Sequence, residues 1–165
     1  MHYLIDGYNW LFRCPKSSHT LEQKRRLFLE QIALLTQASS HLITIVFDSS
    51  DESRDLYSKG HFRDLEIIFT PKNQTADGYI ESYVEMAKKP RQITVVTFDR
   101  ELSQKCRIRG SSVISTGEFF SLFTKDKNLK KKEESLKKIL KESPSQMARL
   151  LAIFEKRVIE DILDI

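Results

Sequence analysis

Ile43-Thr44-Ile45-Val46-Phe47-Asp48 is a β-branched, apolar run that stops at a carboxylate. Two other stretches do the same: Tyr3-Leu4-Ile5 runs into Asp6, and Ile93-Thr94-Val95-Val96-Thr97-Phe98 into Asp99. Each is short and nearly free of charge, the signature of a strand buried on both faces. As parallel neighbours they would deliver three carboxylates to one edge of one sheet, where open α/β sheets bind ligands. Gathered there, the carboxylates resist joint ionisation unless a cation sits among them.

Between these strands the pattern changes to helix. Thr20-x-x-Gln23 has the form of a capping box, followed by Leu21, Leu27, Phe28, Ile32 and Leu35 at helical spacing. Leu65–Phe69 is a further strand, ended by Pro71. Thr75 caps a helix bearing Ile80, Tyr83, Val84 and Ala87. Leu102, Cys106 and Ile108 mark a helix closed by Gly110, Val113-Ile114 a last strand, and Phe119, Phe120, Leu122 and Phe123 a helix after Thr116. Residues 49–64 show no useful periodicity and read as a charged, irregular stretch. Alternation of this kind predicts a three-layer α/β/α domain around a mainly parallel sheet. The domain is expected over 1–124. A basic extension over 125–165 follows, expected to form a helical hairpin with Pro144 opening its second helix.

The 165 residues are 40% hydrophobic, enough for one packed domain. Cys14 and Cys106 offer neither a disulfide framework nor a metal-binding pair, and are expected as free thiols. No signal-peptide pattern or run of about 20 apolar residues occurs, so a cytoplasmic protein with no membrane partner is expected. The net charge is +4, and residues 125–141 carry eight lysines against three acids. The remainder is near neutral. A concentrated basic segment suits a polyanion, and equally suits a solvated helix face.

Each strand-end aspartate has an ordinary alternative. Asp99 can be the N-cap of the helix it precedes, and Asp48 can be a turn residue beside Ser49, Ser50 and Asp51. Asp6 precedes Gly7, which permits a sharp turn or a close approach. Asp77, just inside the helix capped by Thr75, is a fourth candidate, with Glu81 one turn further on the same face. Asp77 could instead serve the helix dipole and Glu81 be solvated. Asn9 could orient Asp6 or meet a phosphate. Thr97 and Ser49 are further hydroxyls near strand ends.

Four blocks together resemble a known family: Asp6-Gly7-Tyr8-Asn9, Val46-Phe47-Asp48, Thr75-Ala76-Asp77-Gly78-Tyr79-Ile80-Glu81 and Val95-Val96-Thr97-Phe98-Asp99-Arg100-Glu101-Leu102. In order and spacing they are similar to NYN-domain nucleases of the YacP-like branch, over residues 1 to about 124. The resemblance implies a PIN-like fold and metal-dependent endoribonuclease activity, with mRNA in a translation-associated context as the finer expectation. It places Asp6, Asp77 and Asp99 on the acidic metal-site blocks, Asn9 on the DGYN amide and Asp48 on the strand-end acid. Two positions depart from the family pattern: Gly78, where a second acid is frequent, and Phe98, where a small hydroxyl residue is common.

Hard oxygen ligands suit Mg²⁺ or Mn²⁺. The expected ligands are Asp6, Asp77 and Asp99, with Asp48 or Glu81 binding through water; none of the four histidines is needed. RNA is the expected partner and the ribosome a candidate one. Its expected contacts are Arg54, Lys59, His61 and Arg63, in a stretch leaving the acid edge, and Lys130, Lys131 and Lys132 in the basic segment.

Other classes fit less well. A phosphoacceptor receiver needs an acidic pair after its first strand, and a haloacid-dehalogenase-like phosphatase needs Asp-x-Asp. No GxGxxG and no P-loop lysine motif occurs, so no nucleotide cofactor is expected. A non-catalytic RNA- or ribosome-binding protein on the same fold is the main rival reading, and a toxin-type PIN nuclease a third.

Overall fold

The computed structural model describes residues 1–12, 20–37, 39–48 and 58–124. Its elements are β1 (His2–Asp6), α1 (Gly7–Leu11), α2 (Leu21–Thr36), β2 (Leu42–Phe47), β3 (Ser58–Phe62), β4 (Leu65–Phe69), α3 (Ala76–Met86), β5 (Ile93–Val96), α4 (Arg100–Ile108), β6 (Ser112–Ile114) and α5 (Thr116–Thr124). A single 3-10 turn, Pro90–Gln92, leads into β5. The fold is the expected α/β one with a six-stranded, mainly parallel sheet.

Two compact units are present: Met1–Trp10 with Ser39–Ser115, and Leu11–Ala38 with Thr116–Ile165. The sheet belongs to the first unit, in the order β3-β4-β2-β1-β5-β6. All neighbours are parallel except β3 and β4. From β1 the chain builds outward through β2 and β4, then returns to add β5 and β6 on the other side. The order therefore reverses beside β1, a topological switch point where ligand crevices form.

Alternation along the strands sorts their side chains to two faces. Leu4, Val46, Ile68, Ile93 and Val95 share one face and pack with Ala76, Ile80 and Val84 of α3 and Leu102 and Cys106 of α4. Tyr3, Ile5, Ile43, Ile45, Phe47, Leu65 and Ile67 alternate with the strand residues of that set and are buried as well. Burial of both sets explains the unbroken apolar runs of the sequence. Asp6 and Asp48 continue the alternation of Leu4 and Val46, so the α3–α4 face carries them.

β3 corrects the expectation of an irregular stretch over 49–64. Ser58–Phe62 pairs antiparallel with β4, His61 opposite Glu66 and Phe62 opposite Leu65. Ser-Lys-Gly-His-Phe has no apolar alternation because this is an edge strand, where exposed polar residues block pairing with other chains. The β3–β4 turn holds Arg63 at φ 53°, a conformation that hairpins usually give to glycine.

In the second unit the capping box forms as expected. Gln23 N donates to Thr20 Oγ1 at 3.2 Å, and Thr20 N to Gln23 Oε1 at 3.0 Å. α2 packs against α5, in which the Phe119 and Phe123 rings lie 4.8 Å apart. Among the described residues no helix is long and apolar enough to cross a membrane. Cys106 is buried, and burial pushes its thiol up to about 11. Cys14 and the expected C-terminal hairpin lie outside the described residues.

Candidate active site

β2, β1 and β5 are adjacent and parallel, so their C-terminal ends open on one edge. Asp6 ends β1, Asp48 follows β2, and Asp99 precedes α4 after β5. α3 starts after β4 and carries Asp77 in its first turn. The chain must turn from β1 straight into α1, and it does so against Phe47. A Cβ on Gly7 would fall inside contact distance of the Phe47 ring. The close approach at Gly7 is thus to a core aromatic ring.

Asp6 is 5% exposed. Burial, with added repulsion from Asp77 and Asp48, raises its pKa to about 7, although Asn9 N donates to Oδ1 at 3.1 Å. Asp77 is also raised, first by burial and then by the charges of Asp99 and Asp48, while Lys105 acts in the opposite sense. The Asp6 and Asp77 carboxyl groups lie close enough to perturb each other. Two carboxyl groups in this relation resist joint ionisation. The expected constellation of Asp6, Asp48, Asp77 and Asp99 is therefore electrostatically one cluster.

Backbone amides hold the acids in place. Ala76 N donates to Asp48 Oδ1 at 2.6 Å, tying the end of β2 to the residue before Asp77. Thr75 Oγ1 accepts from Gly78 N at 3.1 Å, so Gly78 completes the α3 cap. Leu102 N donates to Asp99 Oδ1 at 2.8 Å and caps α4. Asp99 N donates to Thr97 Oγ1 at 3.0 Å. Asn9 Oδ1 accepts from Phe98 N at 3.1 Å, so Asn9 links Asp6 to the loop that carries Asp99. Thr97 and Asn9 thus organise this edge through backbone bonds.

Glu81 sits in an ion-pair network between α3 and α4. Arg109 Nη2 lies 2.7 Å from its Oε1 and Lys105 Nζ 3.4 Å from its Oε2, while Lys105 also meets Glu101 at 2.8 Å. Arg109 Nε reaches Glu85 at 3.6 Å. The network joins the helices that bear Asp77 and Asp99. Sequence reading missed Arg109 and Lys105, because their pairing with Glu81 arises only from tertiary packing.

It also missed Thr70. This residue is fully buried just after β4, its N–H donates to Phe47 O at 3.0 Å, and its hydroxyl has no hydrogen-bond partner among the described residues. The only signal was position: a polar residue ending a strand, as with the three aspartates.

Of the expected RNA contacts, Lys59, His61 and Arg63 fall on β3 and the turn after it. Lys59 lies on β3 and pairs with Glu66 at 2.5 Å. Burial opposes ionisation of Glu66, but Lys59 and Thr44 hydrogen bonds outweigh it and leave its pKa low. His61 is exposed on the same strand. β3 begins opposite Phe69, at the acid end of β4, and runs away from it, so Arg63 in the hairpin turn lies at the opposite edge of the sheet from the acids. The antiparallel return of β3 is the reason. Arg54, Lys130, Lys131 and Lys132 lie outside the described residues.

Among the described residues no group of three or more His, Cys, Asp or Glu side chains is placed to hold a metal ion. The donor chemistry of the acid edge still suits a hard divalent cation: every donor is oxygen, Asp6 is buried, and crowded carboxyl groups favour positive charge.

Comparison with known proteins agrees with the fold. A family model described as the YacP-like NYN domain matches residues 3–163, a span that takes in the lysine-rich segment. The uncharacterized protein YacP of Bacillus subtilis (strain 168) is 29% identical over 101 residues, covering 58% of this chain and 59% of that protein. The chain thus matches about three fifths of that relative's length. Two crystal structures of Rae1 (YacP) from Bacillus subtilis share the fold. One superposes with a TM-score of 0.60 at 24% identity, over 98% of this chain and 97% of that one. A mutant form gives 0.59 at 20%, over 91% and 89%.

Proposed function

The chain belongs to the YacP-like NYN domain family, a nuclease-type family, and we propose that it is a divalent-metal-dependent endoribonuclease acting at the acid edge of the sheet. One observation carries the reading: buried Asp6 and Asp77 lie within reach of each other's charge and of the Asp48 and Asp99 charges, at the switch point of the sheet. Nuclease-type ancestry supports hydrolysis of nucleic acid; the acid cluster supports the dependence on metal.

Asp6, Asp77 and Asp99 would hold Mg²⁺ or Mn²⁺. When bound, such an ion polarises a phosphodiester and lowers the pKa of a coordinated water. The rest of the work falls to the protein. Without a cation, Asp6 retains a proton near neutrality, and a divalent charge makes full ionisation of the pair favourable. Asp48 fixes Asp77 through the Ala76 amide, and Asn9 fixes Asp6 relative to the Asp99 loop. α3 and α4 both begin at this edge, and their N-terminal dipoles favour an incoming phosphate.

The test is incubation of the purified protein with single-stranded and structured RNA, with Mn²⁺, Mg²⁺ or EDTA, beside an Asp77→Asn variant. Internal cleavage that needs metal and is lost in the variant is expected. Equal cleavage by both proteins overturns the site assignment. Tight RNA binding without cleavage under either metal overturns the enzymatic reading in favour of a binding protein.

A further inference from the structure

The α3–α4 face of the sheet carries a second concavity, at the edge away from the acids. A cavity of about 400 Å³ opens between the start of β1, the last turn of α3 and the approach to β5. His2, Tyr83, Met86, Lys88, Lys89 and Gln92 contribute to its lining. Its volume lies within the range of small-ligand pockets.

The inner groups are fixed. The His2 and Tyr83 rings meet edge-on, 5.4 Å between centroids. His2 Nε2 lies 2.8 Å from Thr44 Oγ1, and that hydroxyl donates to Glu66 Oε2 at 2.9 Å. With its one proton given to Glu66, Thr44 accepts from His2 Nε2–H. Nδ1 is then the acceptor for the Tyr83 hydroxyl, 3.4 Å away. A polar row from Tyr83 through His2, Thr44 and Glu66 to Lys59 therefore sets both rings.

The rim differs in kind. Lys88, Lys89, Arg91 and Gln92 are exposed, and Met86 is 79% exposed. Among the described residues Lys59, Lys105 and Arg109 are ion-paired, whereas Lys88, Lys89 and Arg91 make no salt bridge or side-chain hydrogen bond. Arg63 adds a further cation at this edge. Uncompensated ammonium groups around a lining of two rings and a thioether match phosphates flanking an unpaired base. The amide of Gln92 can meet a base edge. Asp77 and Met86 lie at opposite ends of α3, about 14 Å apart along its axis. A few nucleotides of extended strand cover that distance.

We propose that this cavity is a subsite for single-stranded RNA, holding one unpaired base and its neighbouring phosphates upstream or downstream of the bond presented to the acid edge. The proposal rests on the nuclease reading above and adds where the strand is gripped.

The experiment is fluorescence anisotropy of the full chain with a labelled single-stranded RNA of about twelve nucleotides, in EDTA, over a series of salt concentrations. The Lys88→Ala/Lys89→Ala pair should weaken binding on the order of tenfold and make the log–log salt slope shallower by about 1.4. Lys88→Arg/Lys89→Arg should keep affinity and slope. The His2 ring resonances should shift on adding RNA to the wild type, and not with the alanine pair. Unchanged affinity and slope in the alanine pair, while the wild type cleaves RNA in an Asp77-dependent way, overturns the subsite and leaves the nuclease reading standing. Lysine-dependent binding with no cleavage under Mn²⁺ or Mg²⁺ supports the subsite and overturns the nuclease reading. A duplex of the same sequence that competes equally well overturns the unpaired-base assignment.

Discussion

Replacing Asp6 with asparagine isolates the electrostatic strain of the acid cluster. Asparagine keeps an oxygen to accept from Asn9 N–H, and its amide can donate toward Asp77 as the protonated carboxyl does. It cannot ionise. In the wild type, burial and the neighbouring acids raise Asp6 from 3.8 to about 7. The folded chain thus holds this proton more tightly than the unfolded chain, and stability falls as pH rises from 3.8 to about 7. At 1.36 kcal/mol per pKa unit the full loss is about 4 kcal/mol, of which about 2–3 kcal/mol falls between pH 5 and pH 8. Asp6→Asn should therefore be the more stable protein in EDTA at pH 8, with its advantage shrinking by about 2–3 kcal/mol at pH 5. Thermal melts followed by circular dichroism measure this, and for a chain of this size the change corresponds to a Tm difference of roughly 5–10 °C. Millimolar Mn²⁺ should raise the wild-type Tm at pH 8 and do little for the variant. An Asp6→Asn protein less stable than wild type at pH 8, or an advantage independent of pH, would refute the reasoning.

Gly7→Ala places a Cβ against the Phe47 ring, and should cost about 1–3 kcal/mol in urea denaturation; adding Phe47→Leu should return part of the loss. Asp48→Ala leaves the Ala76 N–H without its acceptor and should destabilise by about 1 kcal/mol. Asp48→Asn should restore stability, and RNA cleavage should follow the same order because Asp77 is the next residue. Arg63→Gly removes the left-handed strain of the hairpin turn at the cost of greater unfolded-chain entropy, a net stabilisation of about 0.5 kcal/mol in thermal melts.

Among the described residues, five of the six strands and four of the five α-helices were legible in the sequence, because each carries an apolar period or a cap. β3 was not: an exposed edge strand has no buried face to impose alternation on Ser58–Phe62. α1 was not either, since five residues following β1 without a linker show no helical period. The acids were legible by charge and by place, at strand ends and in a helix's first turn. Thr70 was hidden because a threonine beside a strand is ordinary until its burial and missing partner are seen. The Glu81–Arg109 pair joins residues 28 apart in sequence, and only the packing of α3 on α4 makes them neighbours.

The sequence posed each aspartate as either a cap or a member of an acidic site, and the geometry makes the two roles compatible. Asp99 caps α4 with Oδ1, and Asp48 binds the first amide of α3 with Oδ1. In neither residue does the second oxygen make a hydrogen bond among the described residues. A carboxylate anchored through one oxygen is pre-oriented, so presenting the other costs little side-chain entropy. Asp6 also accepts a backbone amide, from Asn9, but it and Asp77 differ in being raised, by burial and by the neighbouring acids. The edge thus combines two acids held by helix starts with a pair whose pKa values are raised. That division concentrates the need for positive charge at Asp6 and Asp77, beside the switch point of the sheet, while the helix starts hold the other acids in register.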